Sequence, residues 1–222
     1  MSAPAATTPR VLIYLIRHDV RLSDNPIFHA ASLCAAQKED GSESSHDTRD
    51  REDSLISSED VPAFTHLLPV FIFPAHQVEV SGFAPAGSNR CPYPEARSQV
   101  AGVWRTGPHR AKFMAQGVWD LKESLTNLGC ESGVEVRVGM VGDVVENMLD
   151  WYDGDDDHGK RAEIAGIWMA GEEGTEEQAD EADVKRLADE RGVELKVWGD
   201  EKYYIDECVS SVRHLVEDLC IT

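Results

Sequence analysis

No glycine-rich phosphate loop occurs in this sequence. Neither G-x-G-x-x-G nor G-x-x-x-x-G-K-[ST] is present, although the chain carries 17 glycines. Backbone amides need such glycines to close on phosphates, so dinucleotide-fingerprint and P-loop sites are excluded. The five cysteines, Cys34, Cys91, Cys130, Cys208 and Cys220, form no C-x-x-C pair. They fit neither a zinc site nor a disulfide framework, and they predict reduced thiols in a reducing compartment. No apolar run approaches the ~20 residues that span a bilayer. The opening MSAPAATTPR has no signal-type apolar core. A soluble intracellular protein is expected, with cytoplasm, nucleus and organelle left open. Positive charge is scarce as well: 21 Lys and Arg stand against 41 Asp and Glu, a formal net charge of −20. Such a chain repels phosphate backbones, so no direct nucleic-acid binding is expected from it, and its charge serves solubility. There is no G-x-S-x-G, and His18, His109 and His214 lie too far apart for ligand spacing.

What the sequence does contain is strand–helix alternation. Val11–Ile16, His66–Phe73, Val134–Gly139, Ile164–Ala170 and Val193–Trp198 are short, nearly continuous apolar runs, the pattern of strands covered on both faces. Between them, helices are predicted over Pro26–Gln37, His109–Leu128, Asp143–Trp151 and Thr175–Arg191. Ser23, Asp24 and Asn25 are capping candidates for the first, and Gly129 suits the end of the second. Phe113, Trp119–Leu121, Leu125 and Leu128 follow helical spacing, and Trp104, Trp119, Trp151, Trp168 and Trp198 are expected in the core. Alternation of this kind predicts an α/β fold, a Rossmann-like doubly wound five-stranded parallel sheet in a single domain. Residues 1–9 and the polar stretch 38–62 are too poor in apolar side chains to repay ordering and are expected to be disordered. Pro74–Thr106 is a long Pro/Gly-bearing loop, and Asp153–Lys160 is a short acidic linker.

Ligands of doubly wound sheets bind outside the carboxyl ends of the strands. The first such turn, Arg17-His18-Asp19-Val20-Arg21-Leu22-Ser23-Asp24-Asn25-Pro26, has no glycine but alternates Arg17, Asp19 and Arg21. One reading is an ion-pair clamp that fixes the turn. The other has Arg17 or Asp19 facing a polar ring in the crevice. After the fourth strand, Glu172, Glu173, Glu176 and Glu177 read as charge at a helix N-terminus or as ligand-facing carboxylates.

These residues also carry a resemblance. Leu15-Ile16-Arg17-His18-Asp19-Val20-Arg21-Leu22-Ser23-Asp24-Asn25-Pro26 resembles W-F-R-x-D-L-R-x-x-D-N-P, with Leu15-Ile16 and Val20 departing. Leu68-Pro69-Val70-Phe71-Ile72-Phe73 resembles L-P-V-Y-x-F. Thr106-Gly107-Pro108-His109-Arg110-Ala111-Lys112-Phe113 is similar to T-G-P-x-R-A-x-F, and Trp198-Gly199-Asp200-Glu201-Lys202-Tyr203 to W-G-x-x-x-Y/F. Four matches in order identify residues 10–206 as similar to the N-terminal α/β domain of the cryptochrome/photolyase family, nearest its DASH branch.

The resemblance implies an antenna chromophore in this domain, methenyltetrahydrofolate in the DASH branch. It implies FAD in a following helical domain that repairs pyrimidine dimers or drives signalling. The relatives' pterin-binding glutamate, three residues after the phenylalanine of R-A-x-F, corresponds to Gln116, which lacks the charge. A second family carboxylate corresponds to Glu176 or Glu177. Together with Arg17 and Asp19 these are the candidate chromophore residues. Beyond Asp206 the resemblance stops. Val209, Val212, Val216 and Leu219 make an apolar stripe, so 207–222, a divergent tail, reads as a short helix docked on the sheet or as the mark of a truncated gene product or an altered splice. The expected function is that of a photoreceptor lobe without catalysis of its own and with weak chromophore binding. A stand-alone interaction module, partnered through the crevice face or the tail, is the alternative, and a generic small-molecule enzyme ranks last.

Overall fold

The structure, a computed structural model, describes residues 8–39, 62–81, 91–129, 132–156 and 159–199. Along the chain these form β1 (Arg10–Ile16), α1 (Pro26–Glu39), β2 (His66–Pro74), α2 (Pro108–Asn127), β3 (Glu135–Gly139) and α3 (Val141–Asp153). They continue with β4 (Asp155–Asp156), β5 (Gly159–Lys160), β6 (Glu163–Ala170), α4 (Thr175–Arg191) and β7 (Leu195–Trp198). Five strands pair in parallel in the order β3-β2-β1-β6-β7. The expected doubly wound sheet is therefore observed. The stretch 153–160 is a correction to the linker expectation, because Asp155–Asp156 and Gly159–Lys160 pair antiparallel as a small ribbon. The first helix takes residues 38 and 39 from the expected insertion, and the remainder of that insertion up to residue 61 lies outside the described residues, as do residues 1–7 and the tail.

The strand period of two splits β1 between two cores. Leu12, Tyr14 and Ile16 pack with Ile27, Ala30 and Ala31 of α1 and with Val118, Leu121 and Leu125 of α2. Val11, Ile13 and Leu15 pack with Val145, Met148 and Leu149 of α3 and with Val184 and Leu187 of α4. The apolar seam of α2 thus runs through Met114, Val118, Leu121 and Leu125. Phe113, Trp119 and Leu128, expected on that seam, are exposed instead. Phe113 and Trp119 sit one position off the i, i+4, i+7, i+11 register that meets the sheet, and Leu128 is the C-cap, past the last residue of α2. Likewise Trp168 is fully buried, whereas Trp104, Trp119 and Trp151 are exposed. Trp168 lies on β6, between β1 and β7, while Trp104, Trp119 and Trp151 stand on a loop and on helix flanks that no other described residues cover.

The turn after β1 manages without glycine. Its left-handed residue is Asp24, at φ 57°, a conformation that Asp tolerates better than most. Asn25 then caps α1: its Oδ1 accepts from the N–H groups of Ile27 at 3.1 Å and Phe28 at 3.0 Å. Its amide also donates to the Tyr14 hydroxyl oxygen at 3.0 Å. One buried side chain therefore ties β1 to the start of α1. At the far end of α4 the chain turns through Gly192 at φ 63°, a left-handed helix stop. Gly139, at φ 154°, closes β3 where an added Cβ would lie 2.7 Å from the Tyr93 hydroxyl.

Asn25→Ala is expected to destabilise the fold by about 2 kcal/mol, since it removes a cap and leaves the buried Tyr14 hydroxyl without its donor; urea denaturation measures this. Burial pushes the Tyr14 hydroxyl up to about 12, the Asn25 hydrogen bond pulls it down, and the Asp19 charge adds to the rise. The folded state then holds a proton that the unfolded chain releases from about pH 10. Stability should fall between pH 10 and 12, by at most about 1.4 kcal/mol per pH unit. Tyr14→Phe should flatten that limb of the stability–pH curve.

Candidate functional site

The strand order turns at β1. The chain first winds to β2 and β3 on one side, then returns through α3 to β6 and β7 on the other. Crossovers leave β1 and β6 on opposite faces, so a crevice opens outside their carboxyl ends. There the structure has a cavity of about 180 Å³. Its walls are apolar: Leu15, Val20, Phe71, Met114, Val141 and Met169. Its rim is polar and cationic, with Arg17, His18, Gln77 and Arg110, and Phe113 stands beside them.

Beside it lies a largely buried charge cluster drawn from the turn after β1, the start of the loop after β2, and α4. Arg17 Nη2 donates to the backbone carbonyl of Glu177 at 3.1 Å and lies 3.8 Å from Asp180 Oδ2. His76 Nε2 lies 3.6 Å from the same carboxylate oxygen. Arg17 Nη1 and both His76 ring nitrogens are buried without hydrogen-bond partners among the described residues. Burial pushes the Asp180 carboxyl above its ordinary range. His76 and Arg17 oppose that rise, and the charges of Glu177 and Asp183 add to it.

Glu177 behaves differently. Burial pushes its carboxyl up, but its own backbone N–H in the first turn of α4, the Gln77 amide, His18 and Arg17 together hold it below the usual range. The Gln77 amide donates to Glu177 Oε1 at 2.8 Å. An ionised carboxylate therefore stands next to a residue of the cavity rim. His18 Nδ1 lies 2.9 Å from Glu172 Oε1, which links the ends of β1 and β6.

Of the sequence-derived candidates, Arg17 lines the cavity, and Glu177 accepts a hydrogen bond from the lining residue Gln77. Glu176 is turned to an ion pair with Arg105. Asp19 takes two hydrogen bonds from the Arg21 guanidinium, at 2.8 and 3.0 Å. Within the first turn the ion pair is therefore Asp19 with Arg21, whereas the partners of Arg17 come from α4. Gln116 is exposed on the outer flank of α2, in a separate shallow depression with Trp119, Asp120 and Glu123. The five candidates therefore do not converge on one point. Gln77, His76 and Asp180 were missed, because nothing local in sequence marks a loop residue and a helix residue about a hundred positions apart as neighbours.

Arg17→Met should cost about 3 kcal/mol at neutral pH, since it leaves the Asp180 charge buried with less compensation. Without Arg17 the Asp180 carboxyl rises further, and a protonated carboxyl needs no counter-charge. The deficit should therefore shrink as pH falls through the raised Asp180 range. Urea denaturation of wild type and variant at pH 7.5 and pH 5 reads both the loss and its sign.

The sheet, the crevice and the charged turn can now be set beside known proteins. A sequence profile described as DNA photolyase matches residues 12–207. A Neurospora crassa protein named cryptochrome DASH, mitochondrial, is 38% identical over 206 residues, which are 93% of this chain and 23% of that protein. A Gibberella zeae protein named cryptochrome DASH is 37% identical over 89% of this chain and 24% of its own length. This chain thus spans about a quarter of the length of these relatives. The structure of the Synechocystis sp. PCC6803 cryptochrome shares the fold, with a TM-score of 0.56 over 87% of this chain and 28% of that one at 17% identity. The profile runs from inside β1 to beyond β7 and takes in the whole parallel sheet with its charged first turn, so the chain belongs to the DNA photolyase family.

Proposed function

We propose that this chain is the α/β lobe of a DASH-type cryptochrome and that its strand-end cavity seats the ring of an antenna chromophore. The observation that carries this reading is the cavity itself: apolar strand ends, the Phe113 ring, and a rim with Arg17, Gln77 and the nearby ionised Glu177. A pterin is apolar on its faces and polar at its edge, where amide and amine donors seek a carboxylate. Glu177 can supply that acceptor, and Phe113 a stacking face. The donor set therefore fits a methenyltetrahydrofolate ring. The volume of about 180 Å³ is below the roughly 300–1,000 Å³ of sites that enclose drug-sized ligands. One ring system enters, and the rest of a folate lies outside.

In this reading the bound folate supplies light absorption. The chain's own residues do the positioning. Arg17 and Asp180 hold the start of α4 against the end of β1 and so aim Glu177. Asp19 and Arg21 stiffen the turn that carries Val20 into the cavity wall. Glu176, through Arg105, anchors the loop before α2. Gln116 stands outside the ring seat. FAD and light-driven dimer repair or signalling are assigned to the length of the relatives that this chain does not span. Among the described residues no helix is long and apolar enough to cross a membrane. A second reading, a stand-alone interaction lobe without chromophore, is favoured by the solvent-facing Phe113, Val103 and Trp104.

Reconstitution with methenyltetrahydrofolate followed by gel filtration and absorbance tests the assignment. Weak retention of the folate band is expected. Glu177→Gln and Phe113→Asp should each lower affinity ~10-fold, the scale of a lost charge-assisted hydrogen bond or stacking contact. Gln116→Glu should leave affinity unchanged. Tightening by Gln116→Glu with no effect of Phe113→Asp would move the seat to the outer flank of α2. A colourless product throughout would favour the interaction lobe.

A further inference from the structure

Helix α2 carries one glycine, Gly117, in its interior. A glycine there destabilises a helix relative to alanine, so some contact has to require it. Backbone conformation does not, since its φ is not positive. Space does. A Cβ at position 117 would lie 2.9 Å from Val20 Cγ2 and 3.9 Å from Val20 Cβ. Outside its own stretch of helix it would meet no other described residue within 4 Å. Val20 in turn lines the strand-end cavity. Phe113 and Met114 line it too, one turn before Gly117 on the same side of α2.

We propose that Gly117 sets the width of the strand-end cavity. With no side chain at 117, Val20 packs against the helix itself and leaves the cavity open beside it. Neither partner of this contact is free to yield. Val118 and Leu121, close to Gly117 along α2, are fully buried in the core under the sheet. Val20 stands between Asp19 and Arg21, which are tied to each other. Asp19 Oδ1 accepts from the Arg21 backbone N–H at 3.2 Å and from its guanidinium at 2.8 Å. A valine side chain is also stiff about χ1. A methyl group added at 117 therefore drives Val20 into the free space at its other side, and that space is the cavity. The cavity holds about 180 Å³, so a displaced methyl group takes room that a flat ring needs. Position 117 thus acts as a size selector: glycine admits a ring, and a larger residue admits less. The identity of the ring rests on the chromophore reading, whereas the contact and the cavity do not.

Two titrations of the full chain test this, and one of them needs no chromophore. Indole, a neutral flat probe, is followed by the methyl resonances of Met114 and Met169, both in the cavity wall. Methenyltetrahydrofolate is titrated in parallel. Gly117→Ala should weaken indole binding ~10-fold, the scale of overpacking by one methyl group, and folate binding by at least as much. Adding Val20→Ala to Gly117→Ala should recover most of the loss, because the Val20 Cβ that remains lies at 3.9 Å, an ordinary contact. Should Gly117→Ala fail to fold, judged by loss of cooperative urea unfolding, the double variant is expected to regain both fold and affinity. A glycine without this role gives a different result: Gly117→Ala resists more urea, since alanine favours helix, and binds as before. That result overturns the proposal, and so does a loss that Val20→Ala fails to recover. A wild type that takes up neither ring overturns it as well. A wild type that binds indole but no folate, with the same response to both substitutions, removes the chromophore reading and leaves the size selector standing.

Discussion

Strand β1 lies between β2 and β6, and its side chains from Val11 to Ile16 are all buried. A strand with no face for water must be covered twice, and the rest of the architecture follows from that need. Crossovers through α1 and α2 cover one face, and α3 and α4 cover the other. Covering both faces with right-handed crossovers forces the chain to wind outward in both directions from β1. Among the described residues that reversal leaves a crevice at the carboxyl end of β1.

The same end carries the charge that the lobe keeps inside. In a chain with net charge −20, Arg17, His76 and Asp180 meet beside a rim that also bears His18 and Arg110. Burying such groups costs more than exposed pairing returns. The return here is orientation: Arg17 grips the first turn of α4, and that turn holds Glu177 at the cavity. The Asn25 side chain plays a comparable part on the opposite face, joining Tyr14 to the start of α1. Two polar side chains near the carboxyl end of β1 thus tie α4 on one face and α1 on the other. The apolar contacts that supply most of the stability could tolerate some sliding.

Much of the fold was legible because strands and helices leave different periods in sequence. The five buried runs and the four helices appear within a few residues of their expected bounds, and Thr175–Arg191 agrees at both ends with Gly192 as its stop. The site was less legible. Arg17 and Glu177 could be nominated from the turn and the helix start, but Gln77 and Asp180 could not. Phe113 shows the limit from the other direction. Its helical spacing suggested core, yet one step in register, about 100° around α2, puts it in solvent at the cavity edge.

Local pattern was sufficient for what depends on neighbours in the chain: which segments pleat, which coil, that the strands need cover on both sides, and that the first turn works without glycine. It also carried the family likeness, because that lies in contiguous motifs. Only the tertiary structure decided what depends on distance in space. It set the order β3-β2-β1-β6-β7, the partnering of Arg17 with Asp180 rather than Asp19, and the outer position of Gln116. Sequence spacing encodes the side of an element on which a residue lies, whereas contact between elements is fixed by how the layers close over β1.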